Sequence, residues 1–319
     1  MGDSARVAVF EDGQTIVGFL PFQLSSRGVA APIGRKLNTR QAFIHQPGLE
    51  WSWSELLAET RLHVLELQDV VGAQGAGVRS LVSASSPMID TATGWQRYLA
   101  AIGRHKSVRT ILYKERKLHR DHGGDVDFGS GPAKDFVDLG RLAAWKSRQY
   151  RLSGWPDIFA QRETLALLRL LAEECGDSLR AVGSSLRIGG EVVATDLSLS
   201  TGTVFAGWFA AHNPNFACYS PGAIRTLRTV EAAFCCGVRC IDLSRGDEQY
   251  KNALTNDHCD VATGFVFRQS VHSRVYQARR WPKSAVTSYV LAHPGVRSLV
   301  RHSLRRVGEV REQCAMLVS

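Results

Sequence analysis

The residues best suited to chemistry lie between Tyr219 and Leu254. Tyr219-Ser220-Pro221-Gly222-Ala223 opens a predicted helix with an apolar stripe of Ile224, Leu227, Val230 and Phe234, and Gly237 supplies its stop. Ser220 reads as the N-cap and Pro221 as the first helical residue. Small residues at Gly222 and Ala223 leave backbone N–H groups open at the positive end of the helix dipole, an arrangement that suits a pyrophosphate. An ordinary capped helix has the same pattern. A strand is predicted next, over 238–243, and alternation puts Asp242 on one face with Val238 and Cys240, so its carboxylate is expected to be partly buried. A buried carboxylate needs a partner, which an active-site role or an ion pair with Arg245 or Lys251 would supply. Gly246-Asp247-Glu248-Gln249-Tyr250-Lys251 then turns into a short helix, with two acidic residues where the helix dipole favours them.

These residues need a sheet to position them. A strand over 203–210 and the loop His212-Asn213-Pro214-Asn215 precede the corner at Tyr219. Upstream, residues 185–197 read as a hairpin around Gly189-Gly190, and residues 7–20 as a hairpin around Asp12-Gly13. Gly13 laid on Gly189 aligns the two, which suggests a duplicated unit. Two helices, 138–149 and 157–175, precede the second hairpin, and none precedes the first. The first half is therefore expected to lack its leading helices. Between the hairpins, a helix bearing Trp95, Leu99 and Ile102 runs into a basic segment from Arg104 to Arg120. Phe128-Gly129-Ser130-Gly131-Pro132 is the best boundary candidate. The expected division is 1–127, 128–270 and a basic tail, 271–319.

The chain has 319 residues, 44% of them apolar, enough for one large core or two ordinary ones. Charged residues make up 22%, which argues against disorder. No apolar run is long enough to span a bilayer, and the start shows no secretory pattern, so a cytoplasmic protein is expected. The net charge of +9 is concentrated in the segment from Arg104 to Arg120 and in the tail. Such patches meet nucleic acid, anionic lipid or acidic substrates, or are simply solvated helix faces. For the tail, a solvated face or a peripheral contact with the inner membrane surface is the expectation. Cys235, Cys236, Cys240 and Cys259, with His258, fit no zinc spacing and read as reduced, buried thiols with no metal.

The run YSPGAIRTLRTVEAAFCCGVRCIDLSRGDEQYKNAL resembles the C-terminal signature of GNAT-like acetyltransferases associated with cellulose and exopolysaccharide synthesis, the CelD/BcsL group. SPMIDTATGWQRYLAAIGRHKSVRTILYKERKLHRDHG is similar to that family's middle segment, and the likeness covers roughly residues 7–268. The family is related to FemAB-type transferases. The resemblance implies a mixed α/β fold of tandem GNAT-like halves, with twisted, mostly antiparallel central sheets flanked by helices. It also implies acyl transfer from acetyl-CoA to an amine or hydroxyl of a polysaccharide or envelope-sugar precursor. Tyr219, Ser220, Gly222 and Ala223 would then hold the donor, and Arg245, Tyr250 and His212 would contact the acceptor. Gly246…Tyr250-Lys251 is similar to the Gly…Phe-Lys element of FemAB proteins, so Lys251 would stabilise developing charge, with Asp242 or Glu248 as base. Two departures bear on this. No Arg/Gln-Gly-x-Gly loop is present, and Ala211-His212-Asn213 stands where relatives have Tyr-Asp, which makes His212 a further candidate base. The alternatives are FemAB-like aminoacyl transfer, with the basic helix on tRNA, or a silent module that binds an anionic polymer or membrane surface.

Overall fold

The computed structural model describes residues 4–26, 28–173, 176, 178–245 and 249–279. The first elements are β1 (Ala5–Asp12), β2 (Thr15–Ser26), β3 (Val29–Ala31), β4 (Ile44–His45), α1 (Trp53–Glu59), β5 (Val64–Val71) and β6 (Arg79–Asp90). Then come α2 (Trp95–Ile102), α3 (Lys106–Asp121), β7 (Val126–Pro132), α4 (Ala133–Phe136), α5 (Leu139–Leu152) and α6 (Arg162–Glu173). The chain continues through β8 (Arg180–Ile188), β9 (Glu191–Ser200), β10 (Val204–His212), α7 (Pro221–Cys235), β11 (Cys240–Asp242), α8 (Gln249–Leu254) and β12 (Asp257–Phe267). The architecture is mixed α/β, with mostly antiparallel strands flanked by helices.

Contacts divide the described chain into two units. One comprises residues up to 85 together with those from 259, and the other comprises residues 86–258. In the first, the strand order is β1-β2-β3-β5-β12-β6, with β4 on β2. Its core gathers Leu20, Phe22, Phe43, Trp53, Leu56, Leu57, Leu65 and Val266. Helix α1 starts there because Ser52 and Glu55 form a reciprocal capping box.

The second unit has the order β6-β11-β10-β9-β8-β7, in which only β10 and β11 are parallel. Helix α7 buries Ile224, Leu227 and Val230 at 0–1% exposure, on the predicted stripe. They join Tyr98, Ile102, Val108, Ile111 and Leu118 of α2 and α3 in one apolar cluster. Each such fully buried aliphatic side chain contributes about 1.5–3 kcal/mol of transfer free energy.

Both predicted hairpins form, β1–β2 across Gly13 and β8–β9 across Gly189 and Gly190. The helix expected over 157–175 is instead a 3₁₀ turn, Ile158–Ala160, followed by α6. Asp157 explains the break, since its Oδ1 accepts the N–H groups of Phe159 and Ala160 at 3.0 and 3.3 Å and so ends one turn before the next begins. The expected boundary over 128–132 falls inside β7, which pairs with β8 along its whole length. Gly129 and Gly131 read as loop residues, but they let the Phe136 ring lie flat on the strand. A Cβ on either would come within 2.5 Å of that ring. The observed units divide at 85/86 and 258/259 instead. The basic tail from Arg280 onward lies outside the described residues.

Candidate functional site

Strands β10 and β11 meet over only three pairs, Val204–Cys240, Phe205–Ile241 and Ala206–Asp242. Strand β11 ends at Asp242, whereas β10 runs on to His212. Beyond Ala206 the edge of β10 that faced β11 has no strand partner among the described residues. Helix α7, which connects the two strands, starts at this same end. The carboxyl ends of parallel strands, beside a helix N-terminus, are where open α/β sheets bind ligands.

Gly207 stands where the strands part. A Cβ there would lie 3.4 Å from the carbonyl oxygen of Asp242, and the Gly207 carbonyl accepts the Ser244 hydroxyl. Asp242 is 6% exposed, so its expected burial is observed. Its Oδ1 accepts the Ser244 N–H at 2.8 Å and the Ser86 hydroxyl at 3.4 Å. Ser244 itself adopts φ +57° to make this turn.

A bulge next to Gly207 decides where His212 points. Gly207 faces Ser198 and Phe209 faces Leu197, so Trp208 has no opposite number. The extra residue shifts the alternation, and Ala210 and His212 come to share a face with Phe205 and Asp196. That face is the one covered by α7, because Asp196 meets Arg225 there. The His212 ring lies against Gly222, with Nδ1 3.4 Å from where a Gly222 Cβ would be. His212 is exposed as a residue, yet desolvation of its ring, with the charges of Lys146 and Arg225, holds it below the ordinary histidine range.

The corner at Tyr219 differs from the expectation in three ways. A 3₁₀ helix, Pro214–Tyr219, leads into it, where a loop and a direct strand-to-helix turn were expected. Ser220 is not a side-chain cap. It has φ +55° and ψ +53°, and its Oγ accepts the Lys114 ammonium at 2.7 Å. A left-handed serine costs about 1–2 kcal/mol. The supply of open N–H groups is also narrower than expected. Pro221 has none, and those of Ala223 and Ile224 turn back to the Ser220 carbonyl at 3.0 and 3.2 Å. Gly222 is left to offer the donor at the first turn.

Helix α3, whose basic run is expected to meet an external partner or solvent, instead supplies positive charge to this corner. Besides Lys114 on Ser220, Lys117 pairs with Asp121 and sits 4.9 Å from the centre of the Tyr219 ring. The Tyr219 hydroxyl donates to Asp121 at 3.0 Å. The bond from Lys117 holds the Asp121 carboxyl below its usual range, and the bond to Asp121 pushes the Tyr219 phenol up. Arg228 of α7 fastens α3 in place, reaching both oxygens of Glu115 at 2.6 and 2.8 Å. Those bonds hold the guanidinium firmly in its charged form. The spacing Lys114, Lys117, Asp121 marked one helix face, but nothing local showed what that face would meet.

The remaining expected residues divide. Lys251 and Tyr250 lie on α8, where Tyr250 packs on the cluster of α2, α3 and α7 and Lys251 is half-buried. Arg245 is exposed just after Ser244. Glu248 lies outside the described residues. The expectation of buried thiols is corrected: Cys235 and Cys236 are exposed, and Cys240 and Cys259 are half-buried, because they sit at the exposed ends of α7, β11 and β12. Among the described residues, no group of three His, Cys, Asp or Glu side chains is placed to hold a metal ion. No helix among them is long and apolar enough to cross a membrane.

Residues 105–252 match the family described as acetyltransferase (GNAT) domain. That match spans α3 to α8 and includes the whole of the corner. Two solved structures share the fold. One is the C-terminal domain of a putative lysylphosphatidylglycerol synthetase from Agrobacterium fabrum, with 11% identity, a TM-score of 0.53, and coverage of 86% of this chain and 87% of that one. The other is FemX, with 9% identity, a TM-score of 0.55, and coverage of 86% and 90%. No curated protein matches the sequence.

Proposed function

We propose that this chain, in which residues 105–252 have the fold of a GNAT acetyltransferase domain, is an acyltransferase that draws on acetyl-CoA. The observation that carries this reading is the helix N-terminus of α7 set beside the parted ends of β10 and β11. The Gly222 N–H and the Lys114 ammonium fit the donor pyrophosphate, one as a dipole-assisted hydrogen bond and the other as a point charge. Beyond Gly207 the edge of β10, which has no strand partner among the described residues, offers backbone groups to the amides of the pantetheine arm, as a sheet edge offers them to another strand.

In the transfer itself an acceptor N–H or O–H attacks the thioester carbon. The new C–N or C–O bond forms, the C–S bond breaks, and the thiolate leaves and takes up a proton. The acceptor's proton goes to a base. His212 suits that role because its depressed pKa keeps the imidazole neutral at pH 7, and Asp242 and Glu248 are the carboxylate candidates. Lys251 is assigned to stabilising the oxyanion, with Tyr219, Ser220 and Ala223 around the donor and Arg245 and Tyr250 toward the acceptor. The acceptor class, an amine or hydroxyl of a polysaccharide or envelope-sugar precursor, rests on the sequence resemblance.

Thermal unfolding with and without acetyl-CoA tests the reading. Ligand at ~100-fold above its dissociation constant stabilises by about 2.7 kcal/mol. No shift, with RNA binding that falls steeply with salt, would turn the assignment to aminoacyl transfer. No shift, with salt-sensitive binding to anionic vesicles, would turn it to a silent surface-binding module.

A further inference from the structure

Asp196 and Arg225 form an ion pair at 2.8 Å with side chains only 7% and 4% exposed. The hydroxyls of Ser184, Ser198, Thr226 and Thr229 engage the pair, while Arg225 Nε has no hydrogen-bond partner among the described residues. Ser184 and Ser198 donate to the two Asp196 oxygens, the latter at 2.7 Å, and Arg225 reaches Ser184 and Thr229 through Nη1 at 3.1 and 3.3 Å. Through Nη2 it donates to the Thr226 hydroxyl at 2.9 Å, and that hydroxyl in turn donates to the Gly222 carbonyl at 2.9 Å. A continuous chain of hydrogen bonds, charge-assisted as far as the Thr226 hydroxyl, therefore runs from β9 to the first turn of α7.

A buried pair of this kind is a weak source of stability, because desolvation offsets most of the Coulomb attraction. An apolar pair of similar volume would hold α7 on the sheet equally well. What an apolar pair would lack is direction. Asp196 on β9 is the register partner of Ala210, two residues before His212 on β10, so the bonds tie the helix turn that carries Gly222 to the strand on which that end of β10 is paired.

We propose that Asp196 and Arg225 are a positioning pair that sets the first turn of α7, with the Gly222 N–H, against the His212 end of β10. The proposal rests on the donor-site reading for its purpose, but its mechanical content stands apart from it. Thr226 is the relay, and both charged side chains are buried behind the turn they position.

The test uses the full chain with the paired substitution Asp196→Leu and Arg225→Met, and separately Thr226→Val, which leaves the ion pair intact. Three quantities are read: the unfolding midpoint, amide hydrogen exchange across α7, and the dissociation constant for acetyl-CoA. In the paired variant the midpoint should stay near that of the wild type. Exchange at Ala223 to Thr226 should quicken about tenfold relative to residues 227–235, and acetyl-CoA should bind about tenfold more weakly. A pair that merely supports the fold would change exchange along all of α7 or none of it. Unchanged first-turn exchange in the folded paired variant overturns the proposal. If the paired variant does not fold, Thr226→Val decides: faster exchange confined to the first turn supports the relay, and unchanged exchange overturns it. Failure of wild-type protein to bind acetyl-CoA would remove the donor reading and leave the exchange result to stand or fall alone.

Discussion

Replacing Gly222 with alanine should make the protein more stable and a poorer binder of acetyl-CoA. Gly222 is the second residue of α7 and has ordinary helical backbone geometry, so alanine introduces no strain there. Exchanging Gly for Ala at a compatible helical position gains about 0.4–1 kcal/mol, chiefly by restricting the unfolded chain. The new methyl would lie 3.4 Å from His212 Nδ1 and 3.9 Å from its Cγ, which is ordinary contact and brings no steric cost. A unit of this size gains roughly 2–4 °C per kcal/mol, so the midpoint should rise by about 1–4 °C. The same methyl fills the gap between the imidazole and the first turn, where a phosphate oxygen would approach the Gly222 N–H. Loss of one hydrogen bond to a charged group, about 1.5–3 kcal/mol, weakens acetyl-CoA binding by roughly 10- to 100-fold. Calorimetric titration and thermal unfolding of the same sample read both effects. A rise in stability with unchanged affinity would show that the corner does not hold the donor. A fall in stability would show that the space around Gly222 has been misjudged.

Three further outcomes are expected, the first from the sequence resemblance and the others from the geometry. Lys251→Ala should lower transfer by about 100-fold while circular dichroism and midpoint stay near wild type, and undiminished turnover would remove Lys251 from the site. His212 titrates lower in the folded chain than the ordinary value of 6.5, so between those two values the unfolded chain binds more protons and stability rises with pH. This contribution is full above the unfolded value and is lost as pH falls through the window, so His212→Gln should flatten stability there and slow transfer at pH 7. An unaltered pH profile in that variant would contradict the assignment. Arg228→Met should cost about 2 kcal/mol in urea unfolding, between the values for exposed and buried pairs. The intermediate value follows from exposures of 36% for the Arg228 side chain and 9% for the stranded Glu115, and a cost below about 0.5 kcal/mol would refute it.

Periodicity alone determined the helix over Pro221–Cys235, its buried stripe, the two glycine-turned hairpins and the burial of Asp242. Each of these follows from local spacing of 3.6 or 2 residues, or from a turn residue with positive φ. Spacing did not reveal how residues far apart in sequence combine. The bulge at Trp208 reverses the face of His212, and it arises where Gly207 meets Asp242 and Ser244, residues 35 or more positions away. Ser220 took a left-handed conformation and the Lys114 ammonium instead of the N-cap role its residue type suggested. Asp196 and Arg225 had nothing nearby in sequence to single them out. Register and long-range polar pairing depend on which strands and helices become neighbours, and only the tertiary structure decides that.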